Sequence, residues 1–275
     1  MSTSTPDHAR SLFVFDVDGT LLDARLRIPA STRHAVHELL KGGHRVALAS
    51  ARPPRSIAQL SRDLLGRVAE MIALNGAWVS EGDAMLLERT LAPDDAPAII
   101  AYARAQELEI NLFSAREWFV EHVGPGIEAE AEIVMFGPIV VDDLLVSSRQ
   151  VTHKMLLIGD PERVRDVRDW VQAHLPEVAA SRSKPNYCEL VSHDASKADA
   201  MTFLAKRLGI PPERVVAFGD GENDLPMIQR AGIGVAMGNA MDDVKKAADF
   251  TTTSHDEDGI AHALRALGYL PYGAP

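Results

Sequence analysis

The sequence predicts an α/β protein whose core is a Rossmann-like, doubly wound parallel sheet with a smaller α+β cap domain inserted into it. Short apolar runs alternate with helical patterns near both ends of the chain, which is typical of parallel sheets. The middle of the chain instead combines helices with strands of partial polar alternation, which favours an antiparallel sheet. We therefore expect a discontinuous core of residues 1–86 and 191–275 and a cap of residues 87–190.

The core pattern contains four buried strands. Its elements in order are a strand at 12–15, a helix capped by Ser31 or Thr32 and stopped by Gly42, a strand at 45–50, a helix after Pro53 and Pro54, a strand at 71–74 and a strand at 214–218. The predicted cap contains helices at 94–107, 125–135 and 161–174, and strands in "INLFS", "EWFVEH", "KMLLIGD" and "YCELV".

The composition argues against several classes of binding partner. The formal net charge of -11 argues against binding to nucleic acid or an anionic membrane surface, since both reward clustered Lys and Arg. The first ten residues are polar, and no run approaches the roughly 20 apolar residues of a membrane span. The single cysteine, Cys188, excludes an intrachain disulfide and is interpreted as core filling. We expect a cytoplasmic protein that is a monomer or a homodimer.

Polar residues end three of the buried runs. Asp16 follows the first strand, Ser50 the second and Asp220 the fourth, and ligands of doubly wound sheets bind beyond these carboxyl ends. With Asp18 and Asp224 nearby, like charges about 4 Å apart would repel by about 4 kcal/mol at an effective dielectric constant of about 20. An all-oxygen cluster of this kind suits Mg²⁺. The lone cysteine and the histidine spacing argue against zinc.

A helix predicted over 196–209 supplies positive charge. Ser196 and Asp199 form a capping box, which places Lys197 in the first turn, where the helix dipole disfavours a cation. A residue set against its local preference suggests a function, and an ammonium at a helix N-terminus is a good seat for phosphate. Arg52 is a second candidate for anion contact, with a structural ion pair as the equal alternative.

These segments resemble the motifs of the haloacid dehalogenase superfamily, specifically its Cof-type, subclass IIB phosphatases. The resemblance extends over the whole chain, in order. The matching segments are "FDVDGTLL", "LASARPP", "NGAWV", "SKADA" and "GDGENDLPMIQRAGIGVAMGNA".

The resemblance implies roles for individual residues. Asp16 would be a nucleophile that forms an aspartyl-phosphate, and Asp18 the general acid and base. Mg²⁺ would be held by Asp16, the carbonyl of Asp18, Asp220 and Asp224. Phosphate would be held by Ser50, Lys197, Asn223 and the backbone of Val17 and Ala51, with further contacts possible from Arg52, Asn75 and His193.

The chain departs from the family pattern at two places. Ser50-Ala51-Arg52 stands where the family usually has Thr-Gly-Arg, which keeps the hydroxyl but places a less permissive residue than glycine at the second position. The glycine that usually precedes the motif-three lysine is missing from "SHDASK", so His193 is expected near the mouth of the site, where a hinge or surface role is the stronger alternative.

The expected substrate is a small phosphorylated metabolite, with sugar phosphates first and nucleotide or cofactor phosphates open. A sugar phosphomutase and a non-catalytic phospho-ligand sensor are the alternatives. "GIGVAMG" invites a dinucleotide interpretation but lacks the strand–turn–helix order that this site needs. Residues of the cap that could line the site are Arg116, Trp118, His122, His153, Asn186 and Tyr187, with Trp118 and Tyr187 favoured as sheet core.

Overall fold

The computed structural model describes residues 10–271, so most of the polar N-terminal stretch lies outside the described residues. The strands are β1 (Leu12–Asp16), β2 (Arg45–Ala49), β3 (Glu70–Ala73), β4 (Trp78–Glu81), β5 (Ala84–Glu88), β6 (Glu109–Phe113), β7 (Trp118–Val120), β8 (Ile139–Val140), β9 (Lys154–Ile158), β10 (Val178–Lys184), β11 (Tyr187–Ser192), β12 (Val215–Gly219), β13 (Ile233–Ala236) and β14 (Phe250–Thr251). The helices are α1 (Ala30–Lys41), α2 (Pro54–Leu65), α3 (Asp95–Ala105), α4 (Pro125–Val134), α5 (Leu144–Ser147), α6 (Pro161–His174), α7 (Lys197–Arg207), α8 (Leu225–Arg230), α9 (Asp242–Ala247) and α10 (Gly259–Ala266).

The described chain packs as two compact units. The first comprises the residues up to Ala47, Met201–Asp220 and the residues from Asp224 onward. The second comprises Leu48–Ala200 together with Gly221–Asn223. The division into a core of residues 1–86 and 191–275 and a cap of residues 87–190 stays a prediction.

The first unit is built on the strands β14, β13, β12 and β1, adjacent in this order, and β13 pairs in parallel with β14. Strand β1 pairs in parallel with β12, and β12 pairs in parallel with β13. Every residue of β1 and β12 is buried, which explains why both strands are continuous apolar runs rather than alternating ones. The predicted α/β class with a parallel core is confirmed.

The second unit contains two sets of antiparallel strands. One is β3-β4-β5, whose last two strands form a hairpin that was not predicted. The other is a six-stranded sheet in the order β10-β11-β9-β6-β7-β8, antiparallel except between β7 and β8. Helices α3 and α6 contribute apolar side chains to the core on this sheet, including Ile99 and Val167. Cys188 is part of the same core.

Helix α6 has the predicted bounds, and Trp118 and Tyr187 are buried in the sheet as favoured. The predicted Ser31 or Thr32 cap is wrong, because α1 begins at Ala30 and its N-cap is Pro29, two residues before Ser31. The Ser31 hydroxyl instead donates to the Asp258 carboxylate. None of the described helices has the length and apolar character needed to cross a bilayer.

Candidate active site

The residues singled out in the sequence fall into two groups, one in each unit. The first unit contains Asp16, Val17, Asp18, Asp220 and Asp224. The second contains Ser50, Ala51, Arg52, Asn75, His193, Lys197 and Asn223.

The first group depends on the turn that follows β1. Residues Val17–Leu21 form one wide turn, closed by a hydrogen bond of 3.0 Å from the Leu22 amide to the Val17 carbonyl. Inside it, Asp18 (φ -86°, ψ 117°) and Gly19 (φ 82°, ψ 2°) leave helical geometry. Asp16 and Asp18 are therefore not alternate residues of one straight strand, because the chain turns at Gly19. Asp16 is buried, whereas Asp18 is half-buried.

Three carboxylates of the first unit converge. One oxygen from each of Asp16, Asp220 and Asp224 lies within 4.8 Å of the other two, and we call this set the carboxylate cluster. Asp16 and Asp224 are buried and Asp220 is half-buried. Thr20 donates its hydroxyl to Asp220 Oδ1 at 3.1 Å, and the Asp220 amide donates to Asp224 Oδ2 at 3.0 Å. These two hydrogen bonds fix the orientations of the Asp220 and Asp224 carboxylates.

Two glycines make this approach possible. Gly19 adopts a left-handed φ, and a Cβ at this position would lie 2.8 Å from Asp220 Cγ. A Cβ on Gly219 would lie 2.5 Å from the Cβ of Asp224. Any larger residue at either position would push a carboxylate away. Gly19 and Gly219 are thus steric requirements of the cluster.

The donor set of the cluster fits a hard divalent cation. Ionised carboxylates that are buried together repel one another and need a compensating charge. All three side-chain donors are oxygen, which is the donor type that Mg²⁺ prefers, whereas zinc sites in proteins are usually built with His or Cys. The cluster is therefore a candidate metal centre.

The second group is organised around the loop after β2. The Ser50 side chain is buried, and its Oγ accepts a hydrogen bond of 3.1 Å from the Arg52 amide. The Ser50 carbonyl accepts one of 3.1 Å from the amide of Asn75. Because Oγ accepts from the backbone, the hydroxyl hydrogen is directed elsewhere and can be donated to an anion. The Arg52 side chain is buried and lies 3.4 Å from the Ser56 hydroxyl.

The start of α7 shows one of the two hydrogen bonds of the predicted capping box, from the Asp199 amide to the Ser196 hydroxyl. Ser196 Oγ accepts a 3.0 Å hydrogen bond from the Asp199 amide and donates to its carboxylate at 2.5 Å. Lys197 is only 2% exposed, which excludes a solvated lysine at this position. Gly76, at φ 96°, packs closely against this turn, and a Cβ at Gly76 would lie 3.0 Å from the backbone nitrogen of Lys197. Close backbone packing thus fixes the position of the buried lysine.

The remaining predicted positions differ in exposure. Asn223 is half-buried and donates from Nδ2 to Asn75 Oδ1 at 3.0 Å. His193 is exposed in the turn after β11, with its amide bonded to the Glu177 carbonyl. Of the cap candidates, Arg116 and His122 are exposed and Asn186 is half-buried.

His153 is held in the interior of the second unit. Its Nδ1 accepts from the Ala115 amide at 3.1 Å, and its Nε2 lies 2.9 Å from Glu88 Oε1. The amide bond requires Nδ1 to be an acceptor, so Nε2 carries the hydrogen that is donated to Glu88. Burial lowers the pKa of His153, and the Glu88 carboxylate offsets this only in part.

Two charged residues that the sequence interpretation missed lie beside this group. Lys154 and Glu189, on β9 and β11, are both buried and form an ion pair of 3.3 Å. Lys154 also donates to the carbonyl of Ala51 at 2.7 Å. A signal was present, because a lone charge within an apolar strand, as in "YCELV", needs a buried partner.

Comparison with known proteins gives a consistent result. A family model described as haloacid dehalogenase-like hydrolase matches residues 13–264. The 5-amino-6-(5-phospho-D-ribitylamino)uracil phosphatase YcsE of Bacillus subtilis (strain 168) is 30% identical, covering 96% of this chain and 98% of that protein. A haloacid dehalogenase-like hydrolase from Bacteroides thetaiotaomicron has a TM-score of 0.87 at 32% identity, covering 94% and 100% of the two chains. The subclass IIB sugar phosphatase BT4131 has a TM-score of 0.85 at 26% identity, covering 95% and 100%.

Proposed function

Because this chain belongs to the haloacid dehalogenase-like hydrolase family, we propose that it is a Mg²⁺-dependent phosphomonoesterase that acts through an aspartyl-phosphate. Its substrates would be small phosphorylated metabolites, with sugar phosphates foremost. The observation that carries the proposal is the carboxylate cluster, in which Asp16 at the end of β1 lies with Asp220 and Asp224 within 4.8 Å. Asp18, two residues further on, supplies a second carboxyl group that the cluster does not use.

The reaction assigns one bond change to each of the two aspartates. A carboxylate oxygen of Asp16 attacks phosphorus, and the bond from phosphorus to the leaving oxygen breaks while Asp18 donates a proton to that oxygen. Asp18 then accepts a proton from a water molecule that attacks the phosphorus of the aspartyl-phosphate. The bond between phosphorus and Asp16 breaks, inorganic phosphate leaves, and both carboxyl groups return to their starting protonation.

Asp16, Asp220 and Asp224 would hold Mg²⁺, together with the main-chain carbonyl of Asp18. When bound, the metal neutralises charge that would otherwise keep an anionic phosphate away from an anionic nucleophile. The convergence of the three side chains and the steric demand for Gly19 support this assignment.

The second group would hold the phosphate oxygens. The Ser50 hydroxyl, the ammonium of Lys197 and the amide of Asn223 would donate to them, with backbone amides of Val17 and Ala51. Burial of Lys197 supports this role, because an ammonium shielded from water interacts more strongly with an anion. Residues 87–190 would form the cap that excludes water and selects the leaving group.

The choice of substrate rests on the relatives. The likeness to the sugar phosphatase BT4131 favours sugar phosphates, whereas YcsE acts on a phosphorylated ribitylamino uracil. We propose sugar phosphates first because this protein matches the structure of BT4131 with a TM-score of 0.85 over 95% of the chain. A screen of phosphorylated metabolites that includes both classes decides between them.

The test uses the purified full chain, p-nitrophenyl phosphate and the metabolite panel, with Mg²⁺ and then with EDTA. We expect phosphate release that requires Mg²⁺ and needs no sugar bisphosphate, which would exclude the phosphomutase alternative. Asp16→Asn should be inactive, and a variant that keeps more than about a tenth of wild-type turnover would contradict the covalent route. Intact-mass spectra exclude deamidation of the introduced asparagine.

A further inference from the structure

The buried ion pair between Lys154 and Glu189 has no role in the reaction described above. The two side chains are 2% and 6% exposed, and their charged atoms are 3.3 Å apart. Buried ion pairs are a poor source of stability, because apolar residues of similar volume often serve as well or better. The pair is instead connected by hydrogen bonds to two of the side chains assigned to phosphate binding, those of Ser50 and Asn223.

One arm of the contacts runs from Lys154 to Ser50. Lys154 Nζ donates to the Ala51 carbonyl at 2.7 Å, and the amide on the other side of the same peptide bond, that of Arg52, donates to Ser50 Oγ at 3.1 Å. A charged donor on the carbonyl fixes the peptide plane and polarises it, which strengthens the bond made by its N–H. Lys154 therefore orients the Ser50 hydroxyl through one rigid peptide.

The other arm runs from Glu189 to Asn223. Glu189 Oε2 accepts from Asn75 Nδ2 at 2.7 Å, and Asn75 Oδ1 accepts from Asn223 Nδ2 at 3.0 Å. An ionised carboxylate can only accept, so it forces Asn75 to present its nitrogen to Glu189 and its oxygen to Asn223. Both amide orientations are thereby set, and one N–H of Asn223 is left to point elsewhere.

The electrostatics keep Glu189 ionised. Burial alone would raise its pKa, but the Lys154 charge and hydrogen bonds from Ser183, Lys154 and Asn75 outweigh burial and hold the pKa below its usual range. The carboxylate thus remains an acceptor at neutral pH. A protonated Glu189 would be able to donate, and the amide orientations would then no longer be fixed.

We propose that Lys154 and Glu189 are positioning residues that hold Ser50 and Asn223 in the orientations needed to bind phosphate. This inference rests on the proposed function, since it assumes that these two side chains contact the phosphate. It predicts that removing the pair weakens phosphate binding even in a variant that keeps its stability.

The test compares the single variants Lys154→Met and Glu189→Gln with the double variant that carries both changes. Each single variant leaves a buried charge without its partner and should lower the Tm. The double variant removes both charges at similar volume, so its Tm should recover toward the wild-type value. Its Kd for inorganic phosphate, measured by calorimetry with Mg²⁺, should remain raised by about tenfold, the effect of losing one charge-assisted hydrogen bond. The KM for p-nitrophenyl phosphate should rise with it.

Two further variants make the result decisive. Asn75→Gly cuts the second arm and removes one donor to Glu189, but it leaves both charges of the ion pair in place. Glycine tolerates the positive φ of 58° at this position, so phosphate affinity should fall in a folded protein. Cys188→Ala removes a buried side chain next to Glu189 in the sequence, and it should lower the Tm without changing the phosphate Kd.

Recovery of both Tm and phosphate affinity in the double variant would show a merely structural pair and overturn the inference. An unchanged phosphate Kd in Asn75→Gly would overturn the second arm. If the wild-type protein neither bound phosphate nor hydrolysed p-nitrophenyl phosphate, the proposed function itself would be wrong, which is a different outcome.

Discussion

Gly19 and Gly43 form a matched pair for testing whether the carboxylate cluster needs the close approach seen at the turn after β1. Their φ angles are nearly equal, at 82° and 81°. A Cβ on Gly43 would meet nothing within 4 Å, whereas a Cβ on Gly19 would lie 2.8 Å from Asp220 Cγ. The two alanine variants therefore share a backbone penalty and differ in the displacement of one carboxylate.

The magnitudes follow from these distances. A left-handed alanine costs about 1–2 kcal/mol, so both variants should lose a similar amount of unfolding free energy from the backbone alone. The atom nearest to the new methyl group would be Asp220 Oδ2, and it must move by roughly 1 Å to reach ordinary contact. Mg²⁺ demands near-ideal ligand geometry, and a misplacement of about 1 Å costs about 100-fold in rate.

The assay measures kcat/KM for p-nitrophenyl phosphate across a Mg²⁺ titration, with thermal unfolding of both variants. Gly43→Ala should keep wild-type activity and metal dependence. Gly19→Ala should lose about 100-fold in kcat/KM and require more Mg²⁺ for half activation. If Gly19→Ala stayed within about threefold of Gly43→Ala at saturating Mg²⁺, the claim that Gly19 positions Asp220 would be refuted.

Two further predictions concern stability. Mg²⁺ should raise the Tm of the wild-type protein by several degrees at about 100 times its Kd, because the metal offsets repulsion within the carboxylate cluster, and calorimetry should show a smaller rise for Asp220→Asn. The second concerns the depressed pKa of His153. Because the unfolded state takes up a proton at higher pH than the folded state, the contribution of neutral His153 to the free energy of unfolding is fully present above pH 6.5. This contribution is lost as the pH falls toward the pKa of His153 in the folded state. Urea unfolding at about pH 7.5 and about pH 5.5 should show this loss in wild type and in the exposed control His122→Gln but not in His153→Gln, and an equal loss in all three would contradict it.

The elements that could be predicted are those that a recognisable local pattern marks in the sequence, such as a continuous apolar run or a helix cap. Strands β1 and β12 are buried along their whole length and therefore stand out as apolar runs, and α6 begins at a proline after an aspartate that caps it. The hairpin of β4 and β5 was missed because β5 is largely exposed or half-buried and carries no such run. Strand β10 was missed for the same reason, since its sequence is mostly small and polar.

In the candidate site, the residues that could be predicted are likewise those with a local sequence pattern. Asp16, Ser50 and Asp220 were accessible to sequence reasoning because each ends a strand, and Lys197 because it opposes the helix dipole. Lys154 and Glu189 were not found, because their partners are far away in the sequence and only the pairing of β9 with β11 brings them together. The identity of the substrate depends on side chains whose orientation no local pattern encodes.

The most direct test of the central claim is the detection of a phosphorylated Asp16. Enzyme mixed with p-nitrophenyl phosphate and Mg²⁺ is quenched in acid within the first turnover, digested and analysed by mass spectrometry. The account predicts that the peptide containing Asp16 gains the mass of one phosphoryl group, that fragmentation places the group on Asp16, and that Asp16→Asn shows none. Rapid turnover with no phosphorylated peptide at any quench time, or a phosphoryl group on another residue, would contradict it.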